Sequence, residues 1–447
     1  MRWGIAVLVV VLAGAAGLGG YAGVRHLRQP AALASSTPPP TDRALADATV
    51  APSASVPTAG PRPAATRIAA VLRPPLADPH LGKHVLAEVR DVATGAVLFA
   101  QGGTTPAAPA STAKLATAIA VLSVYRPTDR FPTRVVAGAQ PGTVVLVGGG
   151  DPTLTAAAPG HDGAYSDAAR ISDLVRQLHG VRRVEVDGRL FTGAGVSPYW
   201  APEDVPSDYA SPITAAMVDG GRDTPTARIR STSPDLAAGR ALAAALHLPA
   251  SAVTRGAAPA GAQTLASVQS APVATLVTQM LLESDNVIAE CLARQVALAE
   301  HQPASFAGAA AGVRLALAQL GASLGTGMVD GSGLAARDRL TPDTLTRVLL
   351  VAGRRTDVLD MLPVAAWSGT LADRYVSGTA RAGAGVVRAK TGTLTSVSTL
   401  SGMVQDEGGR LLAFALMADR VGPTEADTDA AEAALDRVAG TLASCGC

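Results

Sequence analysis

Pro109-Ala110-Ser111-Thr112-Ala113-Lys114-Leu115-Ala116-Thr117-Ala118-Ile119-Ala120-Val121-Leu122 is the stretch on which the fold turns. An apolar run that opens at Ser111, behind a proline, and stops before Pro127 predicts a buried helix with Ser111 in its first turn. Lys114 lies three residues on, so the two side chains share a face one turn apart. A lysine on so apolar a helix is unusual, and the composition sharpens the point. The chain carries 37 cationic side chains but only three lysines, Lys83, Lys114 and Lys390, and a single asparagine, Asn286. Arginine cannot replace lysine where a proton must leave, because guanidinium stays charged. The rare residues therefore mark chemistry.

Strands lie on either side of this helix. Val85 to Arg90 and Ala96 to Ala100, about a turn at Ala93-Thr94-Gly95, read as a hairpin. Far downstream, Gly385 to Thr393, Thr399 to Val404 and Leu411 to Ala418 read as three more, with a tight turn at Asp406-Glu407-Gly408-Gly409. A closing helix over Thr428 to Leu442 presents Ala431, Leu435, Val438 and Leu442 as one stripe. Two early and three late strands predict a five-stranded antiparallel sheet flanked by the first and last helices. Between them, Thr143 to Val147 and Arg183 to Asp187 read as strands around an amphipathic helix at Ser166 to His179. Residues 134–230 are thus expected to form an inserted α/β subdomain. Helices then return at Asp235 to Leu246, Val273 to Glu283 and Val287 to Glu300.

At 447 residues the chain should hold one large domain plus additions, and a net charge of +1 implies no nucleic-acid partner. Residues 1–29 are apolar and glycine-rich, with Arg25 and Arg28 behind; they read as a signal peptide or membrane anchor. Residues 30–65, rich in Pro, Ala, Ser and Thr, read as an extended linker. The protein is therefore expected outside the cytoplasm, either membrane-anchored or secreted. Three cysteines make no disulfide framework; the reading is a packed Cys291 and a loose Cys445/Cys447 tail.

Each of three motifs has an ordinary reading and a chemical one. A serine hydroxyl needs a base within hydrogen-bond reach, and Lys114 serves only if burial or a nearby cation lowers its pKa. Lys390 would be that cation. Ser284-Asp285-Asn286, between two helices, suits a helix cap; it also suits a serine that passes a proton and an asparagine that holds Lys114 and a substrate amide. Lys390-Thr391-Gly392-Thr393 ends a strand. An ammonium and two hydroxyls there form a carboxylate receptor, and the glycine would admit a substrate backbone. The amide N–H groups of Ser111 and Thr393 would form an oxyanion hole. His80 and His84 are four apart, but Gly82 and Pro79 argue against a helix there and no further ligand set of zinc spacing lies nearby; Gly148-Gly149-Gly150-Asp151-Pro152 lacks the Gly-Lys-Ser/Thr of a phosphate loop, so a structural turn is expected there. No metal and no cofactor is implied.

The ordered trio Ser111-x-x-Lys114, Ser284-Asp285-Asn286 and Lys390-Thr391-Gly392 resembles the penicillin-recognising serine D,D-peptidases and β-lactamases. Gly148 to Leu154, Asp330-Gly331-Ser332-Gly333-Leu334, Leu362-Pro363 and Gly369-Thr370-Leu371 narrow the resemblance to the low-molecular-mass, class C penicillin-binding proteins. It implies an α+β, β-lactamase/transpeptidase-like fold with an all-helical lobe, the peptidase domain spanning 66–133 and 231–447. It implies a D-alanyl-D-alanine carboxypeptidase or, alternatively, an endopeptidase on cross-links. Ser111 would be the acylated nucleophile, Lys114 its base and Ser284 the proton relay. Asn286 would orient substrate, while Lys390, Thr391, Gly392 and Thr393 would bind it. The partners would be peptidoglycan stem peptides and, as covalent inhibitors, β-lactams.

The 173 positions from Ser111 to Ser284 are few for that family, and Ala418-Asp419-Arg420 stands where an asparagine is common. A non-catalytic wall-binding module is disfavoured because every residue the chemistry needs is present. β-Lactamases of the first class deacylate through a Glu-x-x-x-Asn site between the second and third motifs, and this chain has no asparagine there. A penicillin acyl-enzyme is therefore expected to persist for many minutes in a chase with unlabelled drug. Release within seconds would contradict that expectation.

Overall fold

The computed structural model describes residues 60–353 and 356–447. The signal or anchor at 1–29 and the linker as far as residue 59 lie outside the described residues. Ten strands are described in chain order: β1 (Val85–Asp91), β2 (Val97–Gln101), β3 (Pro132–Ala137), β4 (Thr143–Val147), β5 (Arg183–Asp187), β6 (Val253–Arg255), β7 (Thr264–Gln269), β8 (Val387–Leu394), β9 (Val397–Gln405) and β10 (Leu411–Ala418). The helices are α1 (Ala65–Leu76), α2 (Lys114–Val124), α3 (Ile171–Val175), α4 (Pro234–Ala245), α5 (Val273–Leu282), α6 (Asn286–Ala299), α7 (Phe306–Gln319), α8 (Pro342–Gly353), α9 (Thr356–Asp360) and α10 (Glu425–Ala443).

The two early and three late strands form one sheet in the order β2-β1-β10-β9-β8, antiparallel at every pairing. β9 and β10 are buried on both faces, which explains the unbroken apolar run of β10. One face packs Val89, Phe414 and Leu416 against Ile68 and Leu72 of α1 and Leu435 and Val438 of α10. The other face meets a helical lobe centred on α2, where Ile119 and Leu122 pack with Leu276 of α5, Leu292 of α6 and Val313 of α7.

Helix α1 is absent from the sequence reading, although Ile68, Leu72 and Leu76 recur at i, i+4 and i+8 and are buried. The Pro-rich composition running up to it, and Pro74-Pro75 within it, masked that stripe. The C-terminal tail also differs from expectation. Cys445 and Cys447 are joined by a disulfide, Cys445 is buried, and the Cys447 carbonyl accepts from the Ala64 amide at 3.3 Å. The tail is thus pinned beside the start of α1. Cys291 is packed as expected.

The insertion is larger than the interval 134–230. Its sheet runs β6-β5-β4-β3-β7, and β6 and β7 lie beyond Arg230. Helix α4 belongs here too: Ala238, Leu242 and Ala243 share a core with Val144, Leu146 and Val184. Strands β6 and β7 are mostly half-buried or exposed, so neither shows as an apolar run in the sequence. The amphipathic helix over Ser166 to His179 shrinks to Ile171–Val175. Ala169 and Ile171 exchange backbone hydrogen bonds with Thr155, at 2.8 and 3.0 Å, which keeps the preceding chain extended. Gly148 to Gly150, where a turn was expected, instead carry the chain on from β4, with the Gly148 and Gly150 amides donating to the Asp187 and Ala215 carbonyls at 3.0 and 2.9 Å. A Cβ on Gly148 would sit 2.2 Å from the Ala216 nitrogen, and one on Gly149 would sit 1.8 Å from the Pro132 carbonyl oxygen. Among the described residues no helix is long and apolar enough to cross a membrane.

Leu435 is fully buried between α10 and the sheet. Leu435→Ala should cost about 2–5 kcal/mol by transfer and cavity terms, read as a lower urea midpoint. A loss below about 1 kcal/mol would mean that α10 is not integral to this core.

Candidate active site

Ser111 sits in a single 3-10 turn, Ala110–Ala113, that leads into α2. The residue before it, Ala110, has φ +47°, a left-handed conformation that costs a non-glycine residue energy and persists only where its surroundings enforce it. The enforcing contacts are visible. The Ala110 carbonyl lies so close to Gly333 that a Cβ there would come within 1.9 Å, and the Pro109 carbonyl accepts from the Thr399 hydroxyl at 2.8 Å. Gly392 completes the clamp, because its Cβ would sit 2.2 Å from Thr399 Oγ1 and 2.7 Å from the Pro109 oxygen. The reading of Gly392 as an opening for substrate thus gives way to another reason. The glycine lets the Ser111 turn dock on β8.

Lys114 is wholly buried. Its Nζ lies 2.9 Å from Ser111 Oγ, 2.6 Å from Asn286 Oδ1 and 2.8 Å from the Ser332 carbonyl oxygen. Burial brings its pKa down to about 8, against the opposing pull of Asp330, Asp285, Glu290 and Asp338. A neutral amine has two N–H bonds and one lone pair. Two carbonyl-type oxygens, on Asn286 and Ser332, can take the N–H bonds and leave the lone pair for the Ser111 hydroxyl.

The Ser284-Asp285-Asn286 motif serves both of its readings. Asp285 caps α6, its Oδ1 accepting from the Ile288 amide at 2.9 Å, while Asn286 reaches Lys114. The second Asp285 oxygen receives the Tyr165 hydroxyl and the Arg230 guanidinium, each at 2.8 Å. Burial alone would push this carboxyl up; Arg230 and Arg222 outweigh it and hold the group well below the usual carboxylate range. Asn286 Nδ2 also donates to the Tyr209 carbonyl at 3.3 Å. Ser284 has φ +54° and is half-buried. Its hydroxyl has no hydrogen-bond partner among the described residues, so it is not joined directly to Ser111 or Lys114.

On β8, Lys390 is buried, and its Nζ donates to the Thr391 carbonyl at 2.9 Å and lies 3.4 Å from Thr391 Oγ1. Burial first, then the charges of Lys114 and Arg374, push its pKa well below the lysine range. Thr391 Oγ1 donates to Thr370 Oγ1 at 2.9 Å. Thr393 departs from the expected receptor, since its hydroxyl donates to Glu432 on α10 at 2.6 Å. The segment Pro363–Ala365 covers the start of the strand edge. Pro363 accepts from the Ala389 amide, and Ala365 donates to the Val387 carbonyl, both at 3.0 Å. Backbone groups alternate along a strand, so the polarity that aims Ala389 at Pro363 aims Thr391 and Thr393 outward where the edge is open.

Sequence reasoning missed Ser332, Tyr165, Arg230, Thr370 and Glu432. Ser332 and Thr370 lay inside quoted motifs without a role, whereas nothing local marks Tyr165, Arg230 or Glu432. His84 pairs with Asp419, and among the described residues no group of three or more His, Cys, Asp or Glu is placed to hold a metal.

The D-Ala-D-Ala carboxypeptidase 3 (S13) family model matches residues 68–228 and 222–442. Carboxypeptidase Rv3627c of Mycobacterium tuberculosis is 44% identical over 401 residues, covering 86% of this chain and 85% of the relative. Carboxypeptidase DacB of Mycolicibacterium smegmatis is 42% identical over 459 residues, covering 99% and 96%. In fold, the chain is similar to penicillin binding protein 4 (dacB) from Haemophilus influenzae, with a TM-score of 0.69 at 21% identity, over 83% of this chain and 97% of that one.

Arg230 comes from the insertion, yet it neutralises Asp285 beside the site. Arg230→Met should leave a buried carboxylate unpaired and cost about 3–5 kcal/mol in urea unfolding. A variant as stable as the parent would show that the pair does not brace the motif.

Proposed function

The chain belongs to the D-Ala-D-Ala carboxypeptidase 3 (S13) family and is a serine-type carboxypeptidase that removes the terminal D-Ala of peptidoglycan stem peptides; from this premise we propose how its residues carry the reaction. Lys114 in its neutral form takes the Ser111 proton, and Oγ attacks the carbonyl carbon of the penultimate D-Ala. Charge develops on the carbonyl oxygen, which the Ser111 and Thr393 amides receive. One such donor is worth about 2.7–4 kcal/mol in the transition state. The C–N bond then breaks, and the leaving amine takes a proton through Ser284. Water hydrolyses the acyl-enzyme, returning the proton to Ser111 by way of Lys114.

The observation that carries this reading is the contact set of Lys114, a buried amine held against Ser111 by two acceptors that want its hydrogens. Lys390 and Thr391 would receive the terminal carboxylate. Two buried lysines disfavour each other's protons, so an arriving carboxylate, by favouring charge on Lys390, helps keep Lys114 neutral. The Pro363–Ala365 segment supports trimming over cross-link cleavage, because it closes the strand edge just beyond the receptor. β-Lactams would acylate Ser111 by the same route.

The substrate lies outside the cytoplasm, and the enzyme acts there. We infer further that residues 1–29 export the chain, and that the linker gives the domain reach if they stay in the membrane.

Release of D-Ala from an acyl-D-Ala-D-Ala peptide, followed against pH, tests the assignment. The rate constant for acylation should rise as pH passes about 8, where Lys114 loses its proton. Lys114→Arg keeps a charge but loses the base, and should lower kcat/KM by about a thousandfold or more, the scale of an activated nucleophile deprived of its partner. A near-normal rate in Lys114→Arg would remove Lys114 from this role.

A further inference from the structure

Beneath Lys114 lies a buried carboxyl that the mechanism leaves unused. Glu290 stands four residues after Asn286 on α6, on the same face and one turn deeper, and is fully buried. Both its oxygens accept from a single backbone amide, that of Gly331, at 3.0 and 3.1 Å. The Gly331 carbonyl in turn accepts from Thr117 of α2 at 2.6 Å, and the next carbonyl, of Ser332, is the one that meets Lys114. Asp330 fixes the rest of this loop, accepting from the amides of Ser332, Gly333 and Ala335 and from Trp200 Nε1. Glu290 has no ion-pair partner among the described residues. Arg294, one turn on, spends its guanidinium on the Thr192, Ala194 and Ala304 carbonyls.

We propose that Glu290 is a positioning residue for Lys114: it clamps Gly331 so that the Ser332 carbonyl meets Nζ, and when ionised it adds a buried negative charge that makes the lysine keep its proton. The groups that bear on the pair can be named. Asp330 and Asp285 favour the Lys114 ammonium, as Glu290 and Asp338 do once ionised, and Lys390 disfavours it. On Glu290 itself, burial and Asp330 raise the carboxyl well above its usual range, while the Ser332 hydroxyl, the Gly331 amide and Arg294 lower it. Asp338, pushed up to about 10 by burial and by Asp330, stays uncharged beside them. Glu290 and Lys114 thus give up their protons in the same pH range. As pH rises through it, ionisation of Glu290 works against the loss from Lys114. The two groups share one proton equilibrium rather than titrating independently.

This inference rests on Lys114 acting as the base, and the tests separate the two. Glu290→Gln keeps the shape and an oxygen for Gly331 but can never ionise. It should bring the upper part of the acid limb of the acylation profile with a chromogenic penicillin to lower pH, by about one unit, and leave its foot, where Glu290 is protonated anyway, unchanged. A limb that overlays the parent would overturn the electrostatic half of the proposal. Glu290→Ala removes the clamp and should lower the plateau rate about tenfold or more, the scale of a misplaced catalytic group; a plateau at the parent value would overturn the positioning half. A third readout needs neither variant nor turnover. With only three lysines in the chain, 13Cε-lysine NMR can follow Lys114 directly. Its titration should be spread and non-ideal, and a single-site curve would contradict the coupling. That result leaves the base assignment standing, because Lys114→Arg tests it separately.

Discussion

A lysine amine enclosed by Ser111 Oγ, Asn286 Oδ1 and the Ser332 carbonyl is the constraint on which the structure depends. Burying that group is unfavourable in its charged form, so every element around it must be held to within a few tenths of an ångström of a hydrogen-bonding position. The 3-10 turn before α2 sets Ser111, the capped start of α6 sets Asn286, and the Asp330 loop sets Ser332. Each comes from a different part of the chain. The sheet supplies the fixed wall against which they are assembled, through Thr399 and Gly392 gripping Pro109.

The insertion acts in this assembly as a brace. Trp200 holds Asp330, Arg230 and Tyr165 hold Asp285, and Tyr209 accepts from Asn286. All these residues lie within the inserted unit, and all reach the loops that carry chemistry rather than the reacting atoms. The inserted unit therefore touches two of the site's loops. Its influence on the reaction runs through the orientation of Asn286 and Ser332 toward Lys114.

How much was legible follows from how local each signal is. The five-stranded sheet could be read because its strands are long apolar runs bounded by turns, and α10 because its stripe persists over four turns. The site residues stood out because Lys114, Lys390 and Asn286 are rare residue types here. Strands β3, β6 and β7 did not stand out, since each is only partly buried; pairing of β3 with β4, β6 with β5 and β7 with β3 makes them strands. Arg230 looks like any other arginine until the fold brings it to Asp285, 55 positions away. Thr393 shows the opposite failure. Its motif was recognised, but its hydroxyl is held by Glu432, and that partner lies on a helix that sequence spacing does not relate to β8.

The most direct test of the central claim is intact-protein mass spectrometry of the residue 65–447 region after brief exposure to benzylpenicillin, with the adduct mapped by proteolysis. One drug molecule bound covalently at Ser111, and none in Ser111→Ala, is the result this account predicts. A folded protein that gains no adduct, or gains one elsewhere, would contradict it.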